Sequence, residues 1–221
     1  MEKYNHYSFD LWLTLIKSNP EFKRRRDLMF YDLFNPTETP LEIISTIIRN
    51  VDIKSNECSE ITQMHVPVER MIFDILQNLE VDKCDINSKT INIIKHRIQS
   101  LFISFPPSLY DEDTKNVIES LFGNGNILSI GSNTGFILGD TLDLVLTSLG
   151  IRKYFKFALY SDQMCISKPN PAFFDSIVSR SFSGSKKVHV GDNVIADGAC
   201  VYSRIDYFQI NSNENSIKDL L

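Results

Sequence analysis

From Asn126 onward, short apolar runs of strand length alternate with segments of helix length, and this alternation restricts the fold more than any other feature. Asn126 to Gly131, Phe157 to Tyr160, Lys187 to Gly191 and Ile205 to Ile210 read as strands. Ile137 to Leu149, stopped by Gly150, reads as a helix, as do Asn170-Pro171 to about Arg180 and Val194 to Tyr202. Strands that alternate with helices predict a parallel sheet covered on both faces, because each crossover helix buries its apolar stripe on the sheet. Tyr4 to Asp10 is one more strand candidate, far upstream of the others.

The intervening segment has a different texture. Ser18-Asn19-Pro20-Glu21 resembles a helix start, and the helix is expected to reach about Leu33. Asn35 to Pro40 is a break, with Thr39-Pro40 opening a helix through Ile48; a polar stretch follows from Asp52 to Glu60. Val68, Met71, Ile72, Ile75, Leu76 and Leu79 recur at helical spacing. Asn87 or Ser88 can cap a further helix carrying Ile91, Ile94, Ile98 and Leu101, which Pro106-Pro107 ends. Thr114 to Phe122 completes the series. The expected organisation is an α/β core from residues 1–16 and 124–221, interrupted after its first strand by a helical insertion at 17–123.

At 221 residues and 43% hydrophobic, the chain can bury one substantial core with an accessory unit. Twenty-three basic against twenty-eight acidic residues leave a net charge of −5, which argues against a nucleic-acid partner. Lys23-Arg24-Arg25-Arg26 is the one dense basic run, either a solvated helix face or an attractor of anions. Four widely spaced cysteines without a C-x-x-C, and no charged-then-apolar leader at Met1, fit reduced thiols and a cytoplasmic setting. Residues 120–139 are uncharged, but glycines and asparagines interrupt them, so no membrane span is expected.

Open parallel sheets bind ligands at the carboxyl ends of their strands. Four such ends carry chemistry here: Asp10; Ser132-Asn133-Thr134; Lys168, ahead of Pro169-Asn170-Pro171; and Gly191-Asp192-Asn193, with Asp197 five residues beyond Asp192. An acid in an apolar run such as Tyr7 to Leu15 is costly unless something binds it. Each group has a plainer reading: Ser132 closing a turn, Lys168 on the surface, Asp192 and Asp197 charging a helix start. His189 reads as a core residue, and Thr14 as shaping the first loop.

The four stretches together resemble the haloacid dehalogenase-like (HAD) hydrolases. The matching pieces are Phe9-Asp10-Leu11-Trp12-Leu13-Thr14-Leu15, Ser132-Asn133-Thr134-Gly135, Lys168-Pro169 and Val190-Gly191-Asp192-Asn193-Val194-Ile195-Ala196-Asp197-Gly198. The resemblance implies a Rossmann-like core with the insertion as a helical C1-type cap. It implies Asp10 as nucleophile forming an aspartyl-phosphate, which splits one hard displacement into two easier ones. Ser132 and the Asn133 amide would bind phosphate oxygens, and Lys168 would offset charge. Asp10, the Trp12 carbonyl and Asp192 would hold Mg²⁺, with Asp197 supporting that shell. The implied partner is a small phosphorylated metabolite, which the cap would select.

One position departs from that pattern. HAD phosphatases carry a second Asp two residues after the nucleophile, as acid and base; here Trp12 stands there, followed by Leu13. An indole N–H donates only and does not shuttle protons near neutral pH. Loss of a positioned acid–base costs about 10²–10⁴ in rate. Three outcomes compete: a Mg²⁺-dependent phosphatase that draws its proton from elsewhere, a metal-independent haloacid dehalogenase, whose family carries an aromatic residue at this position, and a silent scaffold that binds a ligand or partner. Asp192 and Asp197 favour the first.

Overall fold

The computed structural model describes residues 4–211 and 215–221. Five strands form one sheet in the order β5-β4-β1-β6-β7, with every neighbouring pair parallel. They are β1 (His6–Phe9), β4 (Ile127–Ser132), β5 (Phe157–Tyr160), β6 (Lys187–Gly191) and β7 (Asp206–Gln209). β1 is central, and its Phe9 pairs in register with Ile130 on one side and Val190 on the other. All four β1 residues are buried, as expected of a strand covered on both faces. One face is apolar, with Tyr7 and Phe9 stacked at 6.4 Å. The other carries a polar seam: His6 lies 2.8 Å from Ser129 Oγ, and His189 lies 3.0 Å from Ser8 Oγ. Those pairings satisfy polar groups that burial would otherwise penalise.

The insertion enters and leaves through a two-stranded antiparallel ladder, β2 (Ile16–Lys17) against β3 (Ser108–Leu109). Between them run α1 (Pro20–Leu33), α2 (Leu41–Thr62), α3 (Val68–Asn78) and α4 (Ser88–Ser104). Asn19 Oδ1 accepts from Glu21 N at 2.9 Å and Asn87 Oδ1 from Lys89 N and Thr90 N, so both asparagines cap as expected. Each helix packs on the next, and α4 returns to α1. α5 (Thr114–Gly123) packs instead on β4, so the helical unit proper spans 20–104, and the last helix of the expected 17–123 insertion covers the sheet.

Two more expectations change. α2 does not stop at Ile48 but continues to Thr62, through the stretch read as polar. Its buried stripe runs Ile44, Ile48, Val51, Ser55, Ser59; the two serines keep the spacing while hiding it from an apolar count. The expected helix over Val194 to Tyr202 is a tight turn followed by a 3-10 segment, Gly198–Ser203. Asn193 Oδ1 accepts from both Ile195 N and Ala196 N as an N-cap does, but beyond this first turn Cys200 N donates to Asp197 O, three residues back, and the chain runs on as 3-10 and not α.

The remaining helices, α6 (Gly139–Ser148), the short α7 (Ser161–Met164) and α8 (Pro171–Ser179), complete the crossovers. One continuous apolar cluster joins Phe9, Leu11 and Leu15 at the sheet to Ile44, Ile72, Ile98 and Phe102 in the helical unit. Among the described residues no helix is long and apolar enough to cross a membrane.

Candidate active site

The sheet ladder delivers Asp10 directly: its N–H donates to Val190 O at 2.9 Å, one residue beyond β1. The chain then folds back at once, because Leu11 O accepts from Thr14, Leu15 and Ile16 N–H. Leu13 sits at φ +55°, a left-handed conformation unusual for a leucine. The turn exposes Leu13 and leaves Trp12 half-buried, its ring edge-on to Phe102 of α4 at 5.9 Å.

Lys168 comes from the segment before α8 and is fully buried. Its Nζ donates to Asp10 Oδ1 at 2.8 Å and to Asp197 Oδ1 at 2.5 Å. Its backbone is clasped by Asn133, whose Oδ1 accepts from Lys168 N and whose Nδ2 donates to Lys168 O. Asp197 has a second and a third partner: His189 Nε2 lies 3.1 Å from Oδ1, and Asn193 N donates to Oδ2 at 3.0 Å. Gly191 makes room for this, since a Cβ there would stand 2.2 Å from Asp197 Oδ2. Four segments up to 187 residues apart in sequence, three strand ends and the stretch before α8, thus meet at one point, with ligand oxygens of Asp10, Asp192 and Asp197 within 4.8 Å of one another.

The charges do not balance locally. Burial raises the carboxyl of Asp10 against the pull of Lys168. Burial also acts on Asp197, but Lys168 and His189 outweigh it and hold that carboxyl well below the usual range. Lys168 is desolvated too, yet its two carboxylate partners raise it and keep it cationic. Among the described residues Asp192 has no ion pair, and burial, then Asp10 and Asp197, push it up to about 7 against a weak pull from Lys168. Three carboxylates against one ammonium leave a deficit that a hard divalent cation fits, and the all-oxygen donor set suits Mg²⁺.

A cavity of about 470 Å³ opens above this cluster. Asp10, Trp12, Lys168 and Asp192 line one side, and Asn133, Thr134 and Gly135 of the loop after β4 form another wall. Ser132 is fully buried, with its hydroxyl donating to Asn133 O at 3.2 Å. Across the cavity stand Lys23, Arg26, Arg49, Asp52 and Glu60 of α1 and α2. The basic run divides by helical phase: Arg24 and Arg25 pair with Glu21 in solvent, while Lys23 and Arg26 face the cavity. Arg26 is buried, bonded to Asp27 Oδ1 at 2.9 Å and flanked by Phe22 and Phe136.

Sequence reading missed three participants. His189 was visible as a histidine inside an apolar strand, but its contact with Asp197 depends on a neighbouring loop. The Asn133 side chain serves the Lys168 backbone, which no spacing announces. Asp52 reaches the cavity only because α2 runs past Ile48.

No family model and no curated protein sequence matches the chain. Solved structures do. YfnB of Bacillus subtilis, provisionally assigned as a HAD-hydrolase and bound to magnesium, superposes with a TM-score of 0.72 at 17% identity, covering 97% of this chain and 92% of that one. A predicted phosphoglycolate phosphatase from Haemophilus somnus gives 0.66 at 19%, covering 100% and 92%. The L-2-haloacid dehalogenase of Xanthobacter autotrophicus, with chloropropionic acid covalently bound, gives 0.61 at 13%, covering 96% and 80%. At these identities the likeness concerns architecture, and it agrees with the sheet order and the helical insertion: this chain has the haloacid dehalogenase-like fold.

Proposed function

We propose that this chain is a Mg²⁺-dependent phosphatase that works through an aspartyl-phosphate on Asp10, with a small phosphorylated metabolite as substrate. The observation that carries the reading is the surplus of carboxylate around Lys168. Asp192, held near 7 by Asp10 and Asp197, is an acid without a counter-charge beside the nucleophile. Asp10, Asp192 and the Trp12 carbonyl are the ligands in this reading. Asp197 adjoins them through Lys168, because its oxygens already serve Lys168, His189 and Asn193. A bound Mg²⁺ supplies charge neutralisation between the carboxylates and the phosphoryl oxygens.

The chain's own groups do the rest. Lys168 draws Asp10 toward its ionised form against burial and aims it, and its cationic charge favours an incoming anion. In the loop after β4, the Thr134 N–H already donates to Ser161 Oγ at 2.8 Å, so the backbone N–H groups left to meet phosphate oxygens in this reading are those of Asn133 and Gly135, which line the cavity. The helical unit acts as the cap, with Lys23, Arg26 and Arg49 drawing an anionic substrate in. The four cysteines are free thiols, in keeping with the cytoplasmic setting proposed here.

Trp12 favours a second reading, carbon–halogen hydrolysis without metal, because an aromatic residue there suits a nucleophile that needs no acid partner. The two separate in one experiment. The phosphatase reading expects Mg²⁺-stimulated phosphate release from 4-nitrophenyl phosphate, abolished in Asp10→Asn. Halide release from 2-chloropropionate in chelator, with no phosphate release under any condition, would overturn it.

A further inference from the structure

We propose that Asp52 of α2 is the acid and base of the reaction, giving a proton to the leaving oxygen and then taking one from the attacking water. The inference rests on the phosphatase reading above, and it answers the question that Trp12 raises.

Phosphoryl transfer places the attacking and leaving oxygens roughly in line through phosphorus. Asp10 lies at the sheet end of the cavity, so the leaving oxygen points across it, toward the wall made by α1 and α2. The titratable groups on that wall are Lys23, Arg26, Arg49, Asp52 and Glu60. Arginine does not give up its proton in a protein. Glu60 Oε1 is taken by Asn193 Nδ2 at 2.8 Å, on the side of the Asp192 loop. Asp52 stands elsewhere. Its Oδ1 lies 3.7 Å from the point a Cβ on Gly135 would occupy, against the loop that carries Asn133 and Thr134. It therefore borders both the proposed phosphate loop and the open cavity.

Its surroundings suit a group that must be acid in one step and base in the next. Lys23 and Arg26 face it from α1, and Arg49 Nη1 lies 3.6 Å from it along α2; the Gly135 loop brings no charge. Burial raises the Asp52 carboxyl, and it prevails over the lowering pull of Arg26, Arg49 and Lys23. The acid form thus persists to higher pH than in an exposed aspartate, while three cations stabilise the carboxylate once the proton has left. In the first step the Asp10 Oδ–P bond forms, the P–O bond to the leaving group breaks, and the Asp52 proton moves to the departing oxygen. In the second, water oxygen bonds to phosphorus, the Asp10–phosphorus bond breaks, and the water proton returns to Asp52. Both residues end as they began.

Asp52→Asn is to be compared with wild type on two esters, ethyl phosphate and 4-nitrophenyl phosphate, with Mg²⁺ and rapid mixing. An alkoxide needs its proton on departure and a nitrophenolate does not. The expected result is a loss of about 10²–10⁴ on ethyl phosphate. With the nitrophenyl ester, a burst approaching one nitrophenolate per enzyme should precede slow turnover, because the phosphoenzyme then lacks its base. The burst also shows that the variant is folded. Equal losses on both esters without a burst, no loss on either, or the same signature from Lys23→Met instead, would overturn the assignment of Asp52 alone. A wild type inactive on both esters would overturn the phosphatase reading and this inference with it.

Discussion

One amide joins Asn133 to Lys168 twice: Asn133 Oδ1 accepts from Lys168 N at 2.8 Å, and Asn133 Nδ2 donates to Lys168 O at 2.9 Å. The loop after β4 and the segment before α8 are thereby locked in register, and the ammonium of Lys168 is carried to Asp10. Asn133→Ala removes both bonds and leaves a buried N–H and C=O without partners, at about 1–3 kcal/mol each. A nucleophile aimed by a loosened lysine should lose roughly 10–100-fold in kcat, because the loss falls on transition-state positioning. Asn133→Asp keeps the acceptor and loses the donor, so it should fall between. Steady-state kinetics checks this, and an unchanged kcat in Asn133→Ala would mean that the clasp does not serve the site.

Lys168→Met tests the electrostatics from the other side. It strands Asp10 and Asp197 as buried carboxylates, and removing one member of such a pair costs about 3–5 kcal/mol. The pH dependence should also steepen. In wild type the Asp197 carboxyl is held below its unfolded value, so its contribution is present above that value and is lost as pH falls through the folded one. In Lys168→Met the largest lowering influence on Asp197 is gone, and burial raises Asp10 further above its unfolded value than in wild type. The variant should then gain stability as pH falls from 8 toward 5. Denaturant unfolding across that range, with chelator, measures it against wild type, in which the raised Asp10 and Asp192 carboxyls already favour lower pH; a variant that gains no more than wild type would contradict the proposed charge balance.

Local signals made the sheet and most helices legible. The strands after Asn126 announce themselves by apolar runs between turn residues, and Asn19, Asn87 and Asn170 mark helix starts that the structure confirms by their side-chain bonds. α2 was half legible, because Ser55 and Ser59 occupy the buried stripe where an apolar count expects larger residues. The turn at Asn193 was not legible as such, since its side chain caps Ile195 and Ala196 as at a helix start, and only the i+3 bonding beyond Asp197 makes the continuation 3-10. In the candidate site, the residue types at strand ends were readable and the partners that restrain them were not. Gly191 shows why: it looks like any turn glycine, and only the 2.2 Å approach of Asp197 Oδ2 to its absent Cβ gives it a specific task.

Asp192 titrates at about 7 because burial and the neighbouring Asp10 and Asp197 charges disfavour its ionised form. A hard cation binds the carboxylate and not the acid, so binding must expel the Asp192 proton wherever that proton is present. Mg²⁺ affinity should rise about tenfold per unit as pH increases toward 7, then level off above it. Calorimetry in buffers of different protonation enthalpy should show close to one proton released per Mg²⁺ at pH 6 and close to none at pH 8.5. The metal-free protein should behave oppositely. A raised acid costs stability at high pH and costs less as pH falls through 7, so chelated protein should be more stable at pH 6 than at pH 8 as far as Asp192 contributes. Asp192→Asn should abolish both the proton release and the Mg²⁺ binding. An affinity that stays flat between pH 6 and 8, or a variant that binds as wild type does, would remove Asp192 from the metal site.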